Sequence, residues 1–171
     1  MSSLDTVRYY HHETRHAPVI PPLRAPATGV LRDAKVITTR GMRTVQDLCP
    51  GELVVTRSNG VVPIDRIEQQ SLVARAIYVI AGSIGHRHKN RDTVLPADQE
   101  ILIRDWRAHA LCRRAEAFIR AKHLVDGEYV RDIGLQPMTV YRIHCAQPQV
   151  IYADGMELGS AFVCAAPQQT R

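Results

Sequence analysis

The chain has 171 residues, of which 45% are hydrophobic, and a formal charge of +5. That size suits one domain with an appendage, and it excludes a bilayer-spanning helix, since no apolar run approaches the roughly 20 residues such a helix needs. One Trp and two Phe leave Val, Ile, Leu and Ala to fill the core, and the lack of a continuous apolar stretch near Met1 argues against a cleaved secretion signal.

Residues 1–28 differ in kind from the rest. They hold Pro18, Pro21, Pro22 and Pro26 among Arg8, His11, His12, Arg15, His16 and Arg24, with no helical or strand period. Proline removes backbone donors and favours polyproline geometry, so an extended arm is expected. His12 and His16 would share a helix face, but the region is a poor helix and no Cys or carboxylate pattern completes a metal site. They are read as solvated.

A short strand is expected over 34–38, with a turn at Arg40-Gly41-Met42. A second turn follows at Leu48-Cys49-Pro50-Gly51-Glu52. The best local hairpin signal is Leu53-Val54-Val55 and Val61-Val62-Pro63-Ile64 around Ser58-Asn59-Gly60, because Asn-Gly can hold positive φ at both central turn positions. Residues 72–81 predict a buried strand, ended by Gly82 and Gly85. His86-Arg87-His88-Lys89-Asn90-Arg91 then reads as a solvated basic loop, with a phosphate or polyanion contact as its functional alternative.

Two more strands are expected over 93–96 and 101–103. The chain's one good helix is expected over 106–122, where Trp106, Ala110, Leu111, Ala117, Phe118 and Ala121 recur at helical spacing and Gly127 supplies a stop. Arg107, Arg113, Arg114 and Arg120 occupy its other faces. Residues 139–145 alternate, with Tyr141 and Ile143 on one face and Arg142 and His144 on the other. A closing hairpin runs through Asp154-Gly155, and 165–171 is a polar tail. Cys49, Cys112, Cys145 and Cys164 are far apart without a Cys-x-x-Cys pair. They read as separate reduced thiols. No Gly-rich nucleotide loop, metal motif or Ser-His-Asp order appears, so neither a cofactor nor a metal is expected.

The stretch 41–67 resembles the first half of a Hint domain, the fold shared by inteins and Hedgehog autoprocessing domains, in its short bacterial form. The resemblance is carried by Gly41, Val45, Asp47, Leu48, Gly51, Val54, Thr56, Gly60, Pro63, Ile64 and Ile67. Glu52 stands where Asp is usual, and Arg66 where Trp is usual. Ala121-Lys122-His123-Leu124-Val125 and the run from Val150 to Glu157 resemble later segments of the same family. The resemblance implies a mainly β fold of short paired strands with one helix. The β domain is placed over 29–164, with the extended Pro-rich arm (1–28) before it and the polar tail (165–171) after it, both read from composition.

A working Hint domain cleaves its own backbone. A Cys or Ser at its first residue attacks the preceding carbonyl, and a His supplies a proton to the leaving amine. The resemblance puts that nucleophile at Gly29 and that His at Gln99. The family's later Asp-x-His falls near Ala146-Gln147-Pro148. Three places are thus without the expected groups, and no catalytic residue is assigned. His144 and Cys145 point to opposite faces of one strand, and Cys49 sits in a turn.

The expectation is a catalytically inactive Hint-like domain serving as a binding or assembly module. Its arm would contact a protein partner in a multi-subunit assembly, a setting that a phage-like particle or a surface appendage would supply. The alternatives are a divergent self-cleaving domain and a basic module that binds an acidic polymer through Arg107, Arg113, Arg114 and the loop 86–91. The compartment expected is the cytoplasm or an assembled particle.

Overall fold

The computed structural model describes residues 26–84 and 91–161, and the fold is mainly β. Most of the arm, residues 86–90 of the basic loop, Cys164 and the tail lie outside the described residues. Twelve strands are described. In chain order the first six are β1 (Val30–Leu31), β2 (Lys35–Thr38), β3 (Gly41–Thr44), β4 (Leu53–Val55), β5 (Val61–Pro63) and β6 (Arg66–Val79). Then come β7 (Thr93–Pro96), β8 (Glu100–Ile103), helix α1 (Trp106–Cys112) and β9 (Ala117–Arg120). The last are β10 (Val130–His144), β11 (Val150–Ala153) and β12 (Met156–Gly159).

They form two antiparallel sheets. One has the order β1-β10-β6-β7. The other has the order β5-β4-β2-β11-β12-β8-β9, with β3 also paired to β2. The first sheet is built on a long ribbon in which β6 and β10 pair from Arg66↔His144 to Val79↔Val130. Its single irregularity lies between Asp132 and Leu135, where Gly134 takes φ +76° and donates its N–H to Asp132 Oδ1. The ribbon makes both strands much longer than their alternating cores suggest. In β6 the stretch 66–75 holds no fully buried residue, and in β10 the stretch 131–137 holds none either, so apolar patterning marks only the remaining part of each strand.

One aliphatic cluster forms the core. Val36, Val54, Ile64, Ile77, Ile101, Ile103, Val130, Met156 and Leu158 are all essentially inaccessible. The aromatic residues contribute little: Tyr141 is buried, while Trp106 and Phe118 are exposed. A smaller cluster of Ala76, Met138 and Val140 lies on the other side of the ribbon. The expectation of a Val, Ile, Leu and Ala core holds.

Three local expectations need correction. First, the helix stops at Cys112, where Arg113 caps it in the left-handed conformation (φ +55°). Residues 117–120 form β9 instead, pairing Ile119 with Ile101 of β8. A longer helix would bury little, since Ala108 is the only buried residue of α1, whereas β9 buries Ile119 and satisfies the backbone of β8. Second, Gly127 does not stop a helix. Residues Ala121–Leu124 form a 3-10 turn, and Asp126 Oδ1 then accepts the N–H groups of Glu128, Tyr129 and Val130.

Third, the hairpin β4–β5 is present, but its loop spans five residues between Val55 and Val61, not a two-residue Asn-Gly turn. Thr56 closes it, donating both N–H (2.7 Å) and Oγ1 (2.9 Å) to the Gly60 carbonyl, and only Gly60 takes positive φ. The two-residue turn is at Asp154-Gly155, where both residues have positive φ between Ala153 and Met156.

Asp154 pins the fold. Its carboxylate is buried and accepts the Lys35 N–H (2.9 Å), the Thr93 hydroxyl (2.9 Å) and Arg91 Nε (3.3 Å). The final hairpin is thereby tied to β2 and β7.

Candidate functional site

The site is the peptide bond between Thr28 and Gly29, just before β1. Its N–H donates to Gln99 Oε1 at 2.7 Å. Gln99 sits in the tight connection of β7 to β8 and is only 3% exposed. Its Nε2 donates to the carbonyls of Glu100 (2.9 Å) and Gly159 (3.1 Å). All three polar positions of the amide are therefore used, which fixes its orientation with Oε1 toward Gly29. The two positions assigned by resemblance, 29 and 99, are thus direct neighbours in space although 70 residues apart in sequence.

On the other side, the Thr28 carbonyl accepts from Arg142 Nε at 3.3 Å. Arg142 is held by Gln70 Oε1 (2.8 Å) and lies 3.8 Å from Glu68 Oε2. The same Glu68 oxygen meets His144 Nε2 at 2.9 Å, and Arg66 lies 3.4 Å from His144 Nδ1. The hydrogen bond from His144 holds the Glu68 carboxyl below its ordinary range; burial opposes this, and Arg66 and Arg142 add to it.

The cluster follows from strand periodicity. Arg142 and His144 alternate on one face of β10, and Glu68 and Gln70 alternate on the facing stretch of β6. Sequence reasoning placed Arg142 and His144 on one face but missed Glu68 and Gln70. The two-residue spacing was a signal, yet the pairing of β6 with β10 joins segments over 60 residues apart. Arg66, the departure from the family's usual Trp, is used here. Glu52, the other departure, pairs with Arg43 (3.4 Å) and accepts the Cys49 N–H (3.3 Å).

Chemically, this arrangement can polarise the Thr28 carbonyl through a guanidinium and hold the amide nitrogen. It lacks an attacking group on residue 29. Gly29 has φ +117°, and a Cβ there would lie 2.6 Å from the Tyr141 carbonyl oxygen. The place a nucleophilic side chain would start from is occupied by the backbone of β10. A neutral Gln99 accepts from the amide N–H and has no proton to give the leaving nitrogen at neutral pH.

The remaining candidates lie elsewhere. Burial, and secondarily Asp65, raises the Cys145 thiol above its ordinary range, away from the reactive thiolate. Cys49 and Cys112 are exposed. Gln149, beside Ala146-Gln147-Pro148, is bound through Ser160 Oγ (2.9 Å) and Asn59 Nδ2 (3.0 Å). Arg107 is committed to Asp105 (2.7 Å) and stacks on Trp106 at 5.2 Å, and Arg91 is committed to Asp154. Among the described residues no group of three metal-ligating side chains converges.

The family model of the Hint domain matches residues 28–165. The chain belongs to the Hint domain family. It is similar in fold to the DnaB intein from Synechocystis sp. PCC 6803, with a TM-score of 0.56 at 9% identity over 80% of this chain and all of that one. It is also similar to a bacterial intein-like domain from Clostridium thermocellum, with a TM-score of 0.52 at 10% identity over 80% of this chain and 99% of that one. A third likeness is to the MchDnaB-1 intein, with a TM-score of 0.51 at 11% identity over 78% and 100% of the two chains. Comparison with curated proteins finds no match.

Proposed function

We propose that this chain is a Hint domain that has kept its fold without self-cleavage and works as a binding or assembly module in a larger complex. One observation carries the reading. The Thr28–Gly29 bond sits between Gln99 and Arg142, but the space for a side chain on residue 29 is taken by the Tyr141 carbonyl. A junction gripped at both ends and stripped of its nucleophile serves as an anchor. It fixes where residues 1–28 leave the β body, so the arm is presented from a defined root. A protein partner that contacts the arm would then be held at a set position against the domain.

Two measurements test this. Intact mass of the full chain, followed for days with and without thiol, should stay constant; a fragment ending at Thr28 would overturn the silent-junction reading. A pull-down comparing the full chain with a variant lacking residues 1–28 should lose the partner in the truncation. Equal capture by both would remove the arm from the contact.

A further inference from the structure

A groove of about 410 Å³ lies between α1 and the segment leading into β10, lined by Trp106, Leu111, Val125, Glu128 and Tyr129. Its apolar walls are unusually open: Trp106 is 71% exposed, Leu111 55% and Tyr129 49%. Trp106 is the only tryptophan in the chain, and it lines this surface although the core is almost free of aromatics. Arg107 covers the indole at 5.2 Å. Among the described residues nothing accepts from the indole N–H or pairs with the Glu128 carboxylate. Exposed aromatic patches of this kind mark contact surfaces, and a Trp and a Tyr lining one groove suit a polyproline helix, whose backbone carbonyls have no internal donors.

The chain's own sequence offers a candidate ligand. Ala17-Pro18-Val19-Ile20-Pro21-Pro22 has the P-x-x-P spacing, and a threefold polyproline helix would put its Pro18 and Pro21 on one edge. Arg15 and Arg24 flank it, opposite in charge to Asp126 and Glu128 in the groove wall, where Arg107 is already paired with Asp105 and His123 is the other basic side chain. The reach also fits. Gly29 is bound to Gln99, whose carbonyl accepts the Ala121 N–H at 2.9 Å, and the 3-10 turn from Ala121 to Leu124 adds about 6 Å at roughly 2 Å per residue. The groove thus begins within about 20 Å of Gly29, which the stretch 22–28 spans at roughly 3.1 Å per residue.

We infer that this groove is a polyproline site and that its occupant is the Ala17-to-Pro22 segment of the chain's own arm, seated in cis. The inference rests on reading residues 1–28 as a contact arm and is independent of the junction's chemistry. A short tether gives an effective concentration on the order of 1 mM, so even a contact with a Kd of about 0.1 mM fills roughly nine grooves in ten. A partner would then engage the module by displacing the arm from the groove, or by taking up the arm once it is released.

The single tryptophan makes the test direct. Trp106 fluorescence and its quenching by acrylamide are compared between the full chain and a Pro18→Ala, Pro21→Ala, Pro22→Ala variant, which alters no described contact. The full chain should show bluer emission and a quenching constant several-fold lower than the variant's, up to roughly tenfold for a groove about nine-tenths filled by a shielding occupant. This protection should not depend on protein concentration. Adding a synthetic 15–24 peptide at millimolar concentration should restore it to the variant. Equal quenching of both chains overturns the inference, and protection that grows with protein concentration overturns the cis arrangement. Neither result bears on the mass measurement, and a pull-down that still needs the arm would leave the assembly reading standing.

Discussion

Replacing Gly29 by Ala should be among the most damaging single-methyl changes in the molecule. At φ +117° a side chain is held in a region that costs about 1–3 kcal/mol. The new Cβ would also lie 2.6 Å from the Tyr141 oxygen and 3.1 Å from its carbon, both backbone atoms that cannot swing aside. Relieving such an overlap costs roughly another 1–3 kcal/mol by analogy with overpacked cores. A smaller unfolded-state entropy returns about 0.4–1 kcal/mol. The net loss should be about 3 kcal/mol, or a fall in Tm of roughly 6–12 °C. Gly60→Ala is the control, since its φ is +64° but nothing lies within 4 Å of its Cβ. It should lose only about 1 kcal/mol. Urea and thermal unfolding of both variants decide the matter. If Gly29→Ala is no worse than Gly60→Ala, the space at residue 29 is not closed, and the argument against a side chain there collapses. The same geometry predicts that Gly29→Cys combined with Gln99→His destabilises the fold without yielding a cleaved product on intact-mass analysis.

Gln99→Ala should cost about 2–4 kcal/mol in urea unfolding, because the Gly29 N–H and two carbonyls lose their partner. Gln99→Glu should be worse at pH 7, where a buried carboxylate would face the carbonyls of Glu100 and Gly159. Its folded-state pKa would be raised, so its stability relative to wild type should recover below about pH 4, the unfolded value, and decline as pH rises. Asp154→Ala should cost about 3–5 kcal/mol, since Arg91, Thr93 and the Lys35 N–H lose a buried acceptor. The wild-type protein should lose thermal stability in acid. Glu68, Asp126 and Asp132 are held below their ordinary values by hydrogen bonds, from His144, the Val130 N–H and the Gly134 N–H respectively. Their contribution is complete above the unfolded pKa near 4 and disappears as pH falls through the lowered folded values. A Tm unchanged from pH 7 to pH 2.5 would contradict those contacts.

Local chemistry was legible in the sequence where a segment's own residues decide its shape. Asp154-Gly155 forms the turn its residues predict, and the strands at β7, β8 and β11 stand where apolar runs mark them. Asn59-Gly60 shows the limit. Thr56 offers both its N–H and its hydroxyl to Gly60, so the loop closes three residues wider than the dipeptide alone favours. The Phe118-Ala121 stretch misled for a different reason, because helical spacing there competes with the open edge of β8 and loses. At the junction, Gly29 and Gln99 were found through resemblance alone. Arg142 was placed beside His144 on one strand face, but its meeting with Glu68 and Gln70 was not legible, since it depends on which distant strands pair.

The tie between Lys35 and Asp154, 119 residues apart, also sets a schedule for biosynthesis. At roughly 5–20 residues per second, a ribosome takes roughly 6–24 s to deliver Asp154 after Lys35 has been made. Throughout that interval β2 lacks its central neighbour β11, and the nascent chain presents a bare strand edge to its surroundings. Nascent copies are therefore most exposed to mispairing before the final hairpin emerges, and overproduction should tax chaperones more than the finished protein's stability would suggest.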